Sequence, residues 1–351
     1  MTIPMASNWM LYGAYGTTGR LILDEALRRG HRPLLAGRDG AQLSALGQST
    51  GLSTLTLPLA DGAALRAALS RVTSVLLAAG PYASTGPPMR AACLEAGCSY
   101  LDVNGAIEDF GAALACEAAA RRAGIGIIAG VGYGVAFAEC LAAHVSARLP
   151  DATWLRLSLA TQTAGRSRGA TLSVAAAMAA GGCDISDGAL RRRALASSTW
   201  LAPGTGSRRM RFAAAPMAEL LAVQRSTGIP NIVAGIPLSR PAAAVVRLAG
   251  PMLGGMLAWQ AARTSTTAER GPSAAAIAGL RSRVWAEAGN AAGRRVAAVL
   301  ETGEGYRAAS SAAVRALELQ QRETRVGALT PVQAFGSDFA LLVPGTRIEE
   351  M

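Results

Sequence analysis

Lysine is missing altogether: all 34 basic side chains of this 351-residue chain are arginine. No lysine ammonium can therefore serve as acid, base or Schiff-base former. Histidine is nearly missing too, with His31 and His144 the only two. The five cysteines, Cys93, Cys98, Cys116, Cys140 and Cys183, contain no CxxC pair. That scarcity argues against a zinc site and leaves no metal expected, and the unpaired thiols read as buried and reduced, as in a cytoplasmic protein. Aromatics make up 5% of the chain and charged residues 16%, and the net charge is +11. The arginines are scattered apart from "RRR" at 191–193 and "RRMR" at 208–211. Without a basic helix or interleaved aromatics, nucleic acid is not an expected partner, whereas an acidic partner or phosphorylated ligand is.

Long apolar runs are also absent. The strongest, "PAAAVVRLAGPMLGGMLAWQAAR" at 241–263, is broken by Arg247 and Pro251. It falls short of the ~20 clean apolar residues of a membrane span and reads as a buried or interfacial helix. The start "MTIPMASNWML" lacks a basic lead, so no secretory leader is expected.

What is present suffices for a large core. Hydrophobic residues are 51% of the chain, and the length exceeds the ~100–200 residues of a typical domain, so two domains are expected. Up to residue 130, apolar strands alternate with helical patterns: "NWMLYG", "PLLAG", "LSTLTLP", "SVLLAAGPY", "SYLDVNG" and "IGIIAGV". Helices are read at 18–29, after Asp61, around 86–96 and from Asp109 to Ala123. Continuous apolar strands between amphipathic helices describe a doubly wound parallel α/β sheet of the Rossmann type. Beyond residue 150 the pattern changes. "TWLRLSLAT" alternates as a half-exposed strand, and "LRSRVWAEAGNAAGRRVAAVLETG" reads as an antiparallel hairpin around "GNAAG". The helix "GYRAASSAAVRALELQ" follows. The second domain is therefore α+β.

The stretch "YGAYGTTGRLI" sets Gly13, Gly16 and Gly19 between the first strand and the first helix. In that context Gly13 can take a tight turn, Gly16 can admit a pyrophosphate, and Gly19 can let helix and strand approach. The helix N-terminus would hold the phosphate charge. The spacing is GxxGxxG, a variant of the dinucleotide fingerprint. An NAD site usually carries an acid ~20 residues further on. Here the second strand ends "LLAGRD", and Arg38 can pair with a 2′-phosphate while Asp39 caps the next helix. The pattern favours NADP(H). After the fourth strand, Ala78, Ala79, Gly80 and Pro81 offer a border for ribose and nicotinamide, or a simple tight turn.

These segments, with "LLAAGPYASTGPPMRAACLEAGCSYLDVNG" and "AGVGYGVAFAECLAAHVSARLP", resemble the saccharopine dehydrogenase-like oxidoreductases. "TGIPNIVAGIPLSR", "SRVWAEAGNAAGRRVAAVLETGEGY" and "TPVQAFGSDFALLVPGTRIEE" look most like the trans-acting enoyl reductase branch of polyketide and lipid assembly. The resemblance runs in order through nearly the whole chain. It implies an NADP-binding Rossmann domain at 1–130, an α+β substrate or interface domain at 131–325, and a segment at 326–351 returning to the first domain. It also implies cofactor contacts from Gly13, Gly16, Thr18, Gly19, Arg38, Ala79, Gly80 and Pro81, and Thr17 and Asp102 join them as candidate cofactor-binding residues. The chain departs from the family pattern: Asn104 and Ala106 replace Thr and Glu, and Tyr133, Gly134, Phe137 and Glu139 replace Phe, Asp, Pro and Asp. Carboxylates are thereby lost at 106 and 134.

Reduction of an enoyl thioester needs hydride delivery, stabilisation of the enolate oxygen and a proton for the α-carbon. Tyr133 and Tyr82 are the candidate proton donors. Asn104 and Asp102 can orient water or substrate, though Asp102 can equally bond backbone at a strand end. His144 reads as structural and His31 as solvated. "MLGGMLAW" at 252–259 can line a cavity, fill a core or form an oligomer interface. The leading expectation is an NADPH-dependent reductase of a hydrophobic, carrier- or CoA-linked intermediate, acting on C=C. An acidic acyl carrier protein and a homodimer are the candidate partners. Imine (C=N) reduction and a cofactor-binding, non-catalytic partner are the alternatives.

Overall fold

The computed structural model describes residues 8–163, 168–204, 209–263 and 279–351. The first seven residues of the start segment and Arg208 of the second basic run therefore lie outside the described residues. Six apolar runs of the first 130 residues become β1 (Trp9–Tyr12), β2 (Leu34–Gly37), β3 (Thr54–Thr56), β4 (Ser74–Leu77), β5 (Ser99–Asp102) and β6 (Gly126–Ile128). Between them run α1 (Thr17–Arg28), α2 (Gly40–Thr50), α3 (Gly62–Leu69), α4 (Tyr82–Ala96), α5 (Ile107–Leu114) and α6 (Glu117–Ala123). All pairings within this sheet are parallel. β1 and β4 are buried along their full length, because helices cover both faces. Asp39 and Asp61 cap α2 and α3 by accepting from Gln42 N and Ala64 N. The helix read at 109–123 is two helices. It breaks after Leu114 so that Glu117 can open α6 and accept from Ala328 N at 2.6 Å.

The second sheet contains β7 (Trp154–Ala160), β8 (Gly182–Ser186), β9 (Ala189–Arg193), β10 (Thr199–Pro203), β11 (Arg209–Ala214), β12 (Asn231–Pro237), β13 (Ser282–Gly289) and β14 (Arg295–Thr302). β13 and β14 form the hairpin read around "GNAAG". The helices α7 (Tyr133–Arg148), α8 (Arg168–Ala180), α9 (Glu219–Thr227) and α10 (Arg240–Arg263) accompany it. α7 is apolar on nearly every side and is correspondingly buried. It packs on α9, β13, β14 and the helix Gly305–Arg322, so it joins the two sheets.

The end of the chain divides between them. β15 (Gly327–Leu329) joins the first sheet beside β6, and β16 (Arg347–Glu350) joins the second beside β14. The first sheet thus has the order β15-β6-β5-β4-β1-β2-β3. Strand order reverses between β1 and β4, which opens a crevice at their carboxyl ends.

Two readings need correction. His31 is not solvated: its Nε2 lies 3.1 Å from Glu318 Oε1, and its ring meets Trp9 edge-on at 6.2 Å. With Arg29, which reaches Ser311 and Glu318, it pins the helix Gly305–Arg322 to the end of α1. The second concerns α10: of the buried and interfacial alternatives, the buried one does not hold. Val245, Leu248, Met252, Met256 and Trp259 form a stripe along it, from 54% to 86% exposed. Its other side packs on α8, with Gly254 against the backbone of Ala175 and Ala179. None of the helices among the described residues is long and apolar enough to cross a membrane.

Candidate functional site

The glycine turn lies at the crevice. Gly13 has φ +85°, and a Cβ there would lie 2.8 Å from Ala79 Cβ, so the loops after β1 and β4 touch backbone to backbone. A Cβ on Gly19 would drive into the Gly13 carbonyl oxygen. Only glycine allows α1 to start so close to β1. Gly16 is the N-cap of α1, with no side-chain cap and no acid in the first turn. The first amides of the helix, from Thr17 onward, and its positive end are left available to an anion. Tyr15 lays its ring over Gly37, whose added Cβ would lie 2.6 Å from Tyr15 Cε1. Arg20 Nε fixes the same loop by donating to Tyr15 O at 2.9 Å.

At the end of β2, Arg38 is exposed and pairs with no carboxylate among the described residues. Its neighbour Asp39 is engaged by Gln42 N and Gln42 Nε2 at 3.1 and 2.8 Å. A basic side chain thus faces the solvent where an acidic one would bind ribose hydroxyls. Backbone cradle, uncapped helix and unpaired arginine fit a phosphorylated dinucleotide. Ala79, Gly80 and Pro81 form the facing lip, partly held by Thr85 Oγ1 donating to Ala79 O.

Further along the same edge, side chains take over from backbone. Asp102 is fully buried at the end of β5. One carboxylate oxygen accepts from Tyr100 Oη at 2.5 Å, and the other from Asn104 N and Gly130 N at 2.9 and 2.8 Å. Burial raises its pKa to about 6, and these donors hold it there against a larger shift. Asn104, also buried, donates from Nδ2 to Asp109 and accepts from Ala106 N, each at 2.8 Å. Asp109 in turn forms a bidentate pair with Arg90 at 2.9 and 2.7 Å, for which Gly86 leaves the room. Asp102 and Asn104 are therefore joined in one satisfied network that fixes the loop after β5. Tyr82 stands beside this network, its hydroxyl against the Val103 backbone. Burial and the nearby charges of Asp102 and Asp109 push its pKa well up.

Tyr133 opens α7 where this edge meets the second sheet. Its hydroxyl is buried and completes no hydrogen bond, with Thr161 and Ser282 the polar side chains beside it and Glu219 the acid. Burial raises its pKa further above the ordinary value. Glu219, the first residue of α9, is 3% exposed, and its Oε2 also has no partner. Its Oε1 lies 2.7 Å from the point that a Cβ on Gly134 would occupy. The carboxyl therefore fills the space left by a missing side chain at 134. Desolvation raises its pKa to about 7. Glu139, deeper in α7, accepts from Val332 N at 3.0 Å and is likewise raised to about 7 by burial. It anchors the returning segment and stands apart from the crevice.

The structure thus brings Gly13, Gly16, Thr17, Thr18, Gly19, Arg38 and Ala79–Pro81 to the crevice. Asp102, Asn104 and Tyr82 join in the framework beside it, and Tyr133 meets the second domain. Sequence reasoning missed Tyr15 and Glu219. Glu219 sits in "MAELLAVQ", an unremarkable helix start, and carries no local signal. No group of three or more metal-ligating side chains occurs among the described residues. A cleft of about 190 Å³ opens nearby, lined by Ile107, Glu108, Cys183, Leu190, Arg192 and Pro216 among others.

Fold and crevice define an NAD(P)H-binding Rossmann domain joined to a second α+β domain. Residues 13–133 match the NAD(P)H-binding family model. Over 103 residues the chain is 36% identical to a trans-acting enoyl reductase of Mycobacterium tuberculosis, covering 27% of this chain and 25% of that one. A saccharopine dehydrogenase-like oxidoreductase of Arabidopsis thaliana is 30% identical over 115 residues, 27% and 25% of the two chains. The chain thus spans about a quarter of the length of these curated relatives. The whole architecture, 98% of this chain and 99% of the other, superposes on apo saccharopine dehydrogenase from Saccharomyces cerevisiae with a TM-score of 0.66 and 13% identity. That likeness is one of fold.

Proposed function

We propose that the protein is a cytoplasmic, NADPH-dependent reductase of a C=C bond in a hydrophobic acyl thioester held by CoA or an acidic carrier protein. The observation that carries this reading is the uncapped N-terminus of α1 with exposed, unpaired Arg38 beside it. A guanidinium at the end of β2 suits a 2′-phosphate and disfavours the plain ribose of NADH. The similarity of about a quarter of the chain to trans-acting enoyl reductases supports the reaction, and the free thiols suit a reducing compartment.

Gly13, Gly16, Thr17, Thr18 and Gly19 would hold the pyrophosphate, Arg38 the 2′-phosphate, and Ala79–Pro81 the nicotinamide ribose. When bound, the dihydronicotinamide supplies hydride. The protein's own part is to exclude water, orient the thioester and deliver a proton to the α-carbon. Tyr133 is our proton donor, because its hydroxyl is buried and uncommitted. Tyr82, held against Val103, would flank the nicotinamide, and Asp102 and Asn104 fix the loop after β5. The exposed apolar stripe of α10, on a helix with arginines and no acid, is the surface we assign to an acidic carrier or a second copy.

Deuteride transfer from 4-deuterated NADPH to trans-2-octenoyl-CoA, followed by mass spectrometry, tests the reading. Label at the β-carbon is the expected result. If the chain neither binds NADPH nor transfers label, the reading fails. Transfer to a cyclic imine instead would select C=N reduction, the alternative suggested by the saccharopine dehydrogenase fold.

A further inference from the structure

The cleft of about 190 Å³ lies between walls from different parts of the chain. Ile107 and Glu108, at the start of α5, form one wall, and a face of the β8–β9 hairpin forms the other. Side chains alternate along a strand, so the pairs Cys183–Arg192 and Ile185–Leu190 turn to one face and Asp184–Arg191 to the opposite one. Cys183, Leu190 and Arg192 accordingly line the cleft, while Arg193 holds Asp184 on the far face at 2.8 Å. Pro216 also lines it, and its segment is tied to the loop after β5 by Ala218 N donating to Gly105 O at 3.4 Å. β5 adjoins β4, whose loop Ala79–Pro81 is the lip of the crevice. The cleft therefore lies at the carboxyl edge of the first sheet, one strand beyond that lip. Burial raises the Cys183 thiol to about 11; Glu108 and Asp184 add to that and Arg192 opposes it, so both wall charges stand near the thiol. Yet Glu108 and Arg192 form no ion pair with each other or with any other described residue, and Arg192 donates one N–H to Ala180 O at 2.9 Å. Opposite charges that share a cleft without pairing leave an acceptor and several donors to a ligand that carries both kinds of group.

We propose that this cleft receives the phosphopantetheine arm of the substrate. The inference rests on the acyl-thioester reading above and names the subsite for the part of the thioester that is not reduced. The arm joins amide groups through short apolar links and a dimethyl branch, and the cleft offers the matching mixture. Arg192 donates to an amide carbonyl, Glu108 accepts from an amide N–H, and Ile107, Leu190 and Pro216 cover the apolar links. A fatty chain alone would leave both charges desolvated and unmatched, so the acyl tail is the poorer occupant. With the arm in the cleft, the thioester extends along the sheet edge towards the Ala79–Pro81 lip, where the nicotinamide would lie. No bond forms or breaks at the cleft; it binds and orients. CoA and a carrier protein both present this arm.

Calorimetric titration of the full chain with octanoyl-phosphopantetheine, octanoyl-CoA and an octanoyl acyl carrier protein tests the assignment, since none of these has a bond to reduce. Wild type should bind them all, and the tightest names the source of the arm. Leu190→Trp fills the cleft from a position that is 46% exposed, and Arg192→Met removes the donor. Each should weaken octanoyl-phosphopantetheine roughly 10-fold. NADPH affinity and the unfolding midpoint should stay at wild-type values in both. Octanoate, which has no arm, should distinguish neither variant from wild type. In turnover of trans-2-octenoyl-CoA both variants should raise KM by a similar factor with kcat within about two-fold, because the arm is held equally in ground and transition states. Variants that bind octanoyl-phosphopantetheine as tightly as wild type, or turn over with unchanged KM, would overturn the proposal and leave the reductase reading standing. If wild type binds no octanoyl thioester, both fall. If the variants weaken binding as expected but wild type transfers no deuteride, the reductase reading fails and the cleft assignment stands.

Discussion

Two sets of buried polar groups sit along the carboxyl edge of the first sheet, and they are opposite in kind. Arg90, Asp109, Asn104, Asp102 and Tyr100 satisfy one another completely. Tyr133 and Glu219 leave hydroxyl and carboxyl oxygens unmet. The residues of both sets are buried, so the difference lies in whether the fold supplies partners. A closed network can only hold a shape. An open pair has hydrogen-bonding capacity to give to a ligand, at a standing cost in stability.

The sharpest way to break this comparison is at Asp109. Asp109→Ala leaves the Arg90 guanidinium buried and unpaired and frees Asn104, so it should cost about 3–5 kcal/mol, read by urea unfolding. Truncation of the open pair should show no such loss. Tyr133→Phe removes a hydroxyl that has no partner, and it should be neutral or slightly stabilising in the same measurement.

The next effect is on pH dependence. Burial raises Glu219 and Glu139 to about 7 and Asp102 to about 6. Folded protein then holds protons that the unfolded chain releases near pH 4. The stability these protons confer is fully present below that range and is lost as pH rises through 7. Unfolding midpoints should therefore fall from pH 5 to 8 and level off above. Glu219→Gln should make the slope shallower, by on the order of 2–3 kcal/mol across the range. An unchanged slope would mean that the carboxyl is solvated.

Smaller still is the effect of Arg38→Ala. NADPH affinity should drop roughly 10-fold, about 1.4 kcal/mol, with NADH affinity little changed in calorimetry. Equal losses for both would remove the argument for a 2′-phosphate contact. Least of all, Leu248→Ser on the exposed stripe should alter stability by less than about 0.5 kcal/mol. Any larger effect would be expected in the sedimentation of a self-associated species or in carrier binding.

Much of the first domain was legible in the chain. The apolar runs around Leu11, Leu35, Leu76 and Leu101 could only be strands covered on both faces, and Asp39 and Asp61 marked helix starts in their own neighbourhoods. The glycine triplet was legible because its meaning is local: strand, turn and helix are contiguous. The helix break after Leu114 was not legible, because its reason is the bond from Ala328 N to Glu117, 211 residues apart. The environment of His31 was hidden for the same reason, since Glu318 lies 287 residues away.

By itself, then, the sequence determined the Rossmann strands, the phosphate turn and the basic end of β2, because each depends on neighbours within a few residues. It also excluded lysine chemistry outright. Only the tertiary structure decided that Asp102 and Asn104 are committed to a closed network, that α10 exposes its apolar stripe, and that Glu219 stands at Gly134 beside Tyr133. Those depend on which distant groups share a buried space, and burial is what turns an ordinary glutamate into an acid that titrates near neutrality.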